Sequence, residues 1–293
     1  MSILLTVALA LVVLAAGLHA WRWSDNRRAA RVWTNLEQLG RPPSTFDPSM
    51  VEDLPEPARR YFLYTIETGA RIRTVTEILI SGEIGLGTQD NPNYLPMQAK
   101  QILAPPHGLV WNLSAGRGLM RISGSDGFNG ETSWVRFWLM KTIPIVRAGG
   151  TTDHARAAFG RVVAEAVFWA PAALLPGGAV SWEAVSANVV RATMSYKEMV
   201  QMVDVNVADD GRPTMVVISR WSDANPEKTY RLQPFGGFLS EFRDFDGYKL
   251  PTHVEGGNFI GTEAYFPFYK AKVEGLRFID VEKPGNGPPY TKA

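Results

Sequence analysis

Glu165 is a carboxylate in the run RVVAEAVFWAPAALLP, residues 161–176, which is otherwise almost wholly apolar after Arg161. A carboxylate so placed has three uses: a general acid with a raised pKa, a partner for a buried cation, or the polar edge of a helix. Isolated and charged in an apolar interior it would be far too unfavourable, so if buried it must be paired or protonated. Arg161 stands four residues earlier, one helical turn away, and is the nearest partner; Arg191 and Arg220 are reached only through the fold. With no second catalytic group at a matching spacing, the residues favour a structural pair over a catalytic acid. Asp153-His154 is the other suggestive pair. It precedes Glu165 by eleven residues, about 16 Å along one helix, too far for His154 and Glu165 to share a proton transfer. Asp153 itself reads as a first-turn acid favoured by the helix dipole.

Other chemistry is sparse. The four histidines, His19, His107, His154 and His253, form no HExxH and no pair at ligand spacing, so no metal is expected. His19 lies in an apolar N-terminal run, His107 follows APP in a loop, and His253 shares the polar side of a strand with Lys249 and Glu255. The absence of cysteine excludes disulfides, thiolate nucleophiles and cysteine-bound zinc or iron–sulfur clusters. SGSDG lacks the glycine spacing of a nucleophile elbow, and GLGTQDN and AGRGLM carry only G-x-G without a strand-to-helix context, so both read as turns. No cofactor and no catalytic set is expected. Thirty Lys and Arg against 29 Asp and Glu leave no basic field, and no nucleic-acid partner is expected.

The elements that would position these residues show two periods. MSILLTVALALVVLAAGLHAW, residues 1–21, has no charged side chain and is long enough to cross a membrane as a helix. Trp21 and Trp23 stand where an interfacial belt would anchor it; the competing reading is a cleaved signal ending at LHA. A second, amphipathic helix capped by Ser24 carries Ala29, Val32, Trp33, Leu36 and Leu39, and a short one runs from the prolines of EDLPEPARRYFLYTIETG to Gly69. From residue 70 the period changes from 3.6 to 2: Ile72, Ile78, Ile80, Ile84 and Leu86 alternate with Arg73, Glu77, Ser81 and Glu83, a strand with one wet face. Val203, Val205 and Val207 alternate with polar residues before the ADDGRP turn, a second hairpin folds at Asp246-Gly247, and Tyr269, Ala271 and Val273 mark a late strand. One helix, about 152–168, interrupts the strands, with Ala155, Phe159, Val162, Val163 and Ala166 as its stripe and Trp169 and Pro171 closing it.

The stretches LPEPARRYF, GRVVAEAVFWAPAALLP followed by VSWEAV, and GYKLPTHVEGG resemble an uncharacterised bacterial family, domain of unknown function 6544 or its relative 6920. That resemblance implies an N-terminal membrane helix and no assigned activity. More loosely, the single helix against an antiparallel sheet looks like the lipoprotein-localisation carrier and receptor fold, an open half-barrel with an apolar concave side, which is fold-level analogy.

The expected fold is mainly β (α+β): an anchor at 1–23, a helical juxtamembrane segment at 24–69, an antiparallel β domain at 70–281 and a flexible tail at 282–293. The β domain is a large curved sheet or half-barrel with the helix near 152–168 packed on or in it. The leading functional reading is binding of a lipid or other apolar ligand on the concave face, with Trp134, Trp138, Glu165, Phe168, Trp169 and Trp182 as ligand-binding residues and Trp111 and Phe137 among the other aromatics of such a cavity. Residues 133–146, SWVRFWLMKTIPIV, are either a buried strand or a lipid-facing lip. Two alternatives stay open: a hydrolase using Glu165 or Asp153 and His154, and a ligand-free scaffold at the membrane. The expected place is the bacterial inner membrane. Arg22, Arg27, Arg28 and Arg31 after the span favour a cytoplasmic domain, whereas the fold analogy favours the periplasm.

Overall fold

The computed structural model describes residues 2–40, 44–280 and 290–292. Helix α1 (Ser2–Glu37) leads to α2 (Glu56–Thr65) and then to six strands, β1 (Thr76–Gly85), β2 (Tyr94–Ala104), β3 (Gly108–Ala115), β4 (Ile122–Phe128), β5 (Ser133–Leu139) and β6 (Ile143–Gly149). Helix α3 (Thr152–Trp169) follows. Seven more strands complete the sheet: β7 (Val180–Ser186), β8 (Val189–Tyr196), β9 (Met199–Val207), β10 (Pro213–Ser222), β11 (Arg231–Phe245), β12 (Tyr248–Asn258) and β13 (Phe266–Phe278), with a short β14 (Thr291–Lys292) on β13.

Tight turns between sequential strands make two meanders, and pairing of β1 with β13 joins them into one antiparallel sheet of order β6-β5-β4-β3-β2-β1-β13-β12-β11-β10-β9-β8-β7. The path from β6 to β7 must therefore run from one edge of the sheet to the other. Helix α3 lies on that path and touches strands of both meanders, among them β2, β4, β9, β10 and β12, so the sheet wraps around it as a half-barrel. The alternation supports this arrangement. Val203, Val205 and Val207 are buried on the α3 side while Asp204 and Asn206 are not, and Asp246-Gly247 turns β11 into β12 with both φ angles positive, at 48° and 84°.

Three expectations are corrected. The anchor and the amphipathic helix are one continuous α1, about 54 Å long at 1.5 Å per residue, and Ser24 lies inside it. No proline or glycine stands between Gly17 and Gly40 to break it. Strand β1 begins at Thr76; Arg71 makes only an isolated bridge to Thr45. The outer face of β1 is not wet throughout, because Glu77 is fully buried beneath the C-terminal half of α1. There Ala29, Trp33 and Leu36 pack on Val75, Ile102, Val110 and Trp134. Asp25 receives both Nη atoms of Arg147, at 2.7 and 3.1 Å, with Arg136 at 3.6 Å. The N-terminal half of α1 projects away from the sheet with its leucines and valines exposed. The helix is long and apolar enough to span a membrane.

Residues 133–146 form β5 and the start of β6. Trp134 and Trp138 are buried, while Met140, Ile143 and Ile145 at the hairpin end are exposed. Of the expected tail, residues 282–289 and 293 lie outside the described residues, and Thr291–Lys292 pair with Leu276 and Gly275.

Candidate functional site

Helix α3 is capped by Thr151, whose side chain accepts from the His154 N–H at 3.2 Å, and has Asp153 in its first turn. It ends before Pro171. Arg161, Ala164, Glu165 and Phe168 recur at three- and four-residue spacing on one face of the helix, and that face closes a cavity of about 260 Å³ against the inner face of the sheet. That space is enough for one small ligand or part of one alkyl chain.

The cavity exists because the sheet is bare there. Two glycine pairs face each other across β11 and β12, Gly236 with Gly257 and Gly237 with Gly256. Gly237 and Gly256 alternate with Phe235, Leu239 and Val254 on the inner face, so two side-chain layers are missing opposite α3. A Cβ on Gly237 would meet the Glu255 carbonyl oxygen at 1.9 Å, so that site excludes any side chain. A Cβ on Gly256 would meet only the Gly236 oxygen at 3.5 Å, an ordinary contact.

The polar end of the wall answers the question posed by Glu165. Arg161 Nε donates to Glu165 Oε1 at 2.5 Å, its Nη1 to Asp126 Oδ2 at 2.7 Å and its Nη2 to Gln101 Oε1 at 3.0 Å. Gln101 in turn donates to Glu165 Oε2 at 2.5 Å. Burial works to lower the Arg161 pKa, but Glu165 and Asp126 outweigh it and hold the guanidinium more firmly charged than usual. Arg220 goes the other way: burial, with repulsion from Arg161, lowers its pKa, only partly offset by Asp126 and Glu165. Its Nε donates to the Ala157 carbonyl at 3.2 Å and its guanidinium carbon lies 4.6 Å from the centre of the Phe235 ring. Burial also raises the Tyr269 phenol well above its ordinary value, reinforced by the Glu165 charge.

Of the residues the sequence pointed to, Glu165, Phe168 and Trp169 border the cavity together with Trp111. The structure does not bring Trp134, Trp138 or Trp182 to it. Trp134 and Trp138 are on the outer face under α1, where Trp134 donates to Ser125 at 3.0 Å and Trp138 meets Trp21 edge-on at 5.5 Å. Trp182 packs on Tyr61 and Phe62 and donates to the Leu174 carbonyl at 2.9 Å. Phe137 packs on Trp111. Asp153 accepts from the Trp221 ring N–H at 2.7 Å, and His154 Nδ1 lies 2.6 Å from Ser133 Oγ. Among the described residues no group of three or more His, Asp or Glu is placed to hold a metal. Arg220, one of the two strand arginines considered as partners for Glu165, stands in the wall without pairing with it, and Asp126, Gln101 and the glycine pairs were missed. FGGF and VEGGN were visible signals, since paired glycines inside strands mark a close approach or an empty face.

A family model described as "Family of unknown function (DUF6544)" matches residues 44–271, most of the chain. No curated protein matches. Among solved structures, a LolA superfamily protein from Nitrosomonas europaea is similar at 11% identity and a TM-score of 0.39, over 76% of this chain and 90% of that one. A domain described as an outer membrane lipoprotein-sorting protein, from Vibrio parahaemolyticus, is similar at 10% identity and a TM-score of 0.36, over 70% and 85%. At these scores neither likeness enters the argument for function.

Proposed function

The chain belongs to the DUF6544 family of unknown function, and we propose that it is a membrane-anchored binding protein that takes one alkyl chain or similar apolar ligand between α3 and the inner face of the sheet. The observation that carries this reading is the bare floor at Gly237 and Gly256, roofed by Phe168 and Trp169. Packed interiors hold few voids, and a void lined by aromatic and aliphatic groups with a few convergent polar ones is the usual form of a small-molecule site. The scaffold alternative called for a filled inner face, which the cavity does not supply. In this reading α1 spans the membrane and its docked C-terminal half holds the domain at the bilayer surface. Contacts from Trp33 through Asp25 to Trp21 run along the sheet towards Trp138, so the exposed ends at Leu119-Met120 and Met140–Ile143 face the membrane.

The hydrolase reading has one favourable observation, the 2.6 Å separation of Ser133 Oγ and His154 Nδ1. Three others oppose it. Ser133 is 2% exposed and lies outside the cavity; among the described residues no carboxylate hydrogen-bonds the second ring nitrogen; and Asp153 is engaged by Trp221. Burial, only partly offset by Asp126 and Asp223, lowers the His154 pKa.

Native mass spectrometry of the full-length protein, extracted in a mild detergent, tests the binding reading. The expected result is one bound apolar molecule per chain, lost in Trp169→Gln. A protein that is empty, and stays empty when offered fatty acids, contradicts it.

A further inference from the structure

The donors and acceptors around the cavity do not match. Arg161 engages both nearby carboxylates, Glu165 and Asp126, and also the Gln101 carbonyl. Arg220, the second arginine of the wall, has neither carboxylate. Its described partners are the Ala157 carbonyl through Nε and the Phe235 ring, and among the described residues no carboxylate oxygen comes within 4.0 Å of it. Its two Nη groups have no acceptor among the described residues. The Arg220 Nη groups are not fully buried, whereas three donors in other wall residues are buried without a partner: the ring N–H groups of Trp111 and Trp169 and the Tyr269 hydroxyl. The wall therefore has several donors without acceptors, while three of its four carboxylate oxygens, Glu165 Oε1 and Oε2 and Asp126 Oδ2, accept from Arg161 and Gln101. Unpaired buried donors are unfavourable, and native interiors hold few of them. An occupant that brings acceptors relieves them.

We propose that the ligand is an amphiphile with an anionic, acceptor-only head, a carboxylate or a phosphate, seated on Arg220 with its alkyl chain running along α3 over Gly237 and Gly256 towards Phe168 and Trp169. The inference rests on the binding reading above and adds the chemistry of the head. A guanidinium fork fits a planar carboxylate or a phosphate through two parallel N–H donors. The distance also suits part of a chain: the cavity wall on α3 runs from Arg161 to Trp169, eight residues and about 12 Å along the helix. A cationic head would find only Asp126 Oδ1 without a donor among the wall's carboxylate oxygens, and it would stand beside the guanidinium groups of Arg161 and Arg220. The charges of Arg161, Arg220, Glu165 and Asp126 cancel, so direct contact at Arg220, and not a surrounding positive field, must supply the preference for an anion.

The test is a competition read by native mass spectrometry on the full chain in detergent. Dodecanoate, dodecyl phosphate, dodecan-1-ol and dodecyltrimethylammonium are offered together at equal concentration. Charged hydrogen bonds at Arg220 predict that at least one anion is bound about 10- to 100-fold better than the alcohol. The ratio of dodecanoate to dodecyl phosphate tells the two heads apart. The preference should collapse in Arg220→Gln and fall partway in Arg220→Lys, which keeps the charge without the fork. Equal binding of alcohol and anions by the unmodified protein overturns the Arg220 inference while leaving the apolar-ligand reading intact, and tightest binding of the cation overturns it as well. Binding of no probe sinks the binding reading itself. The comparison of heads on the unmodified protein stands even if a variant fails to fold.

Discussion

Replacing Gly256 with leucine should make the protein more stable and unable to bind. The position faces the cavity, has an ordinary negative φ and leaves a new Cβ at 3.5 Å from its nearest neighbour, the Gly236 oxygen. A leucine side chain therefore enters about 260 Å³ of existing space without displacing the wall. Burying it gains about 1.5–3 kcal/mol, and removing glycine freedom from the unfolded chain adds about 0.4–1 kcal/mol. Fixing the rotamer and imperfect packing take back part of this, leaving about 1–2 kcal/mol. For a domain of this size that raises the melting temperature by roughly 2–8 °C. Thermal melting followed by near-ultraviolet circular dichroism reads the first effect, and loss of the dodecanoate adduct reads the second. Gly237→Ala is the control: its Cβ would overlap the Glu255 oxygen at 1.9 Å, so its melting temperature should fall. A Gly256→Leu protein that melts lower than the parent would refute the reasoning, since overpacking costs about 1–3 kcal/mol where no space exists.

Glu165→Gln should destabilise the fold by about 2–4 kcal/mol, because Asp126 is left as the one carboxylate on a buried Arg161, and Arg161→Met/Glu165→Met should recover most of the loss; denaturant titrations measure both. Asp25→Asn should loosen the docked half of α1 by leaving Arg147 and Arg136 without their carboxylate, seen as faster hydrogen exchange over residues 22–37 with the strands unchanged. Burial works to raise the Glu77 pKa, but Tyr290, Lys100 and Arg277 together hold it below the ordinary 4.5. A depressed carboxyl stabilises the fold above its unfolded value and loses that contribution as pH falls through the folded one, so the stability gap between parent and Glu77→Gln should close below about pH 4.5. The chain has no cysteine, so an environment-sensitive dye on Ile143→Cys reports its surroundings cleanly: in vesicles it should be quenched by lipid-borne nitroxides, whereas a dye on Asp209→Cys should not.

The sequence made some parts of the fold legible and hid others for physical reasons. Period-2 runs such as Val203–Val207 and the Asp246-Gly247 turn are local signals, and both elements stand where they were expected. The i,i+4 pair of Arg161 and Glu165 is also local, and it forms. The roles of Trp134 and Trp138 depend on which face of the sheet each residue takes. That is set by the docking of α1, a contact over a hundred residues distant in the chain. Glu77 was misplaced for the same reason, since alternation predicts a polar face but not what covers it. Arg220 and Asp126 meet α3 only because the sheet wraps around it, and no spacing in the sequence encodes that.

The most direct measurement is photo-crosslinking of the full-length protein in membranes with a fatty acid carrying a diazirine in mid-chain. The account predicts crosslinks to Phe168 and Trp169 on α3 and to Leu239 and Val254 beside the glycine pairs, competed away by dodecanoate and absent in Gly256→Leu. Crosslinks confined to residues 3–20 of α1, or unaffected by competitor, would contradict it.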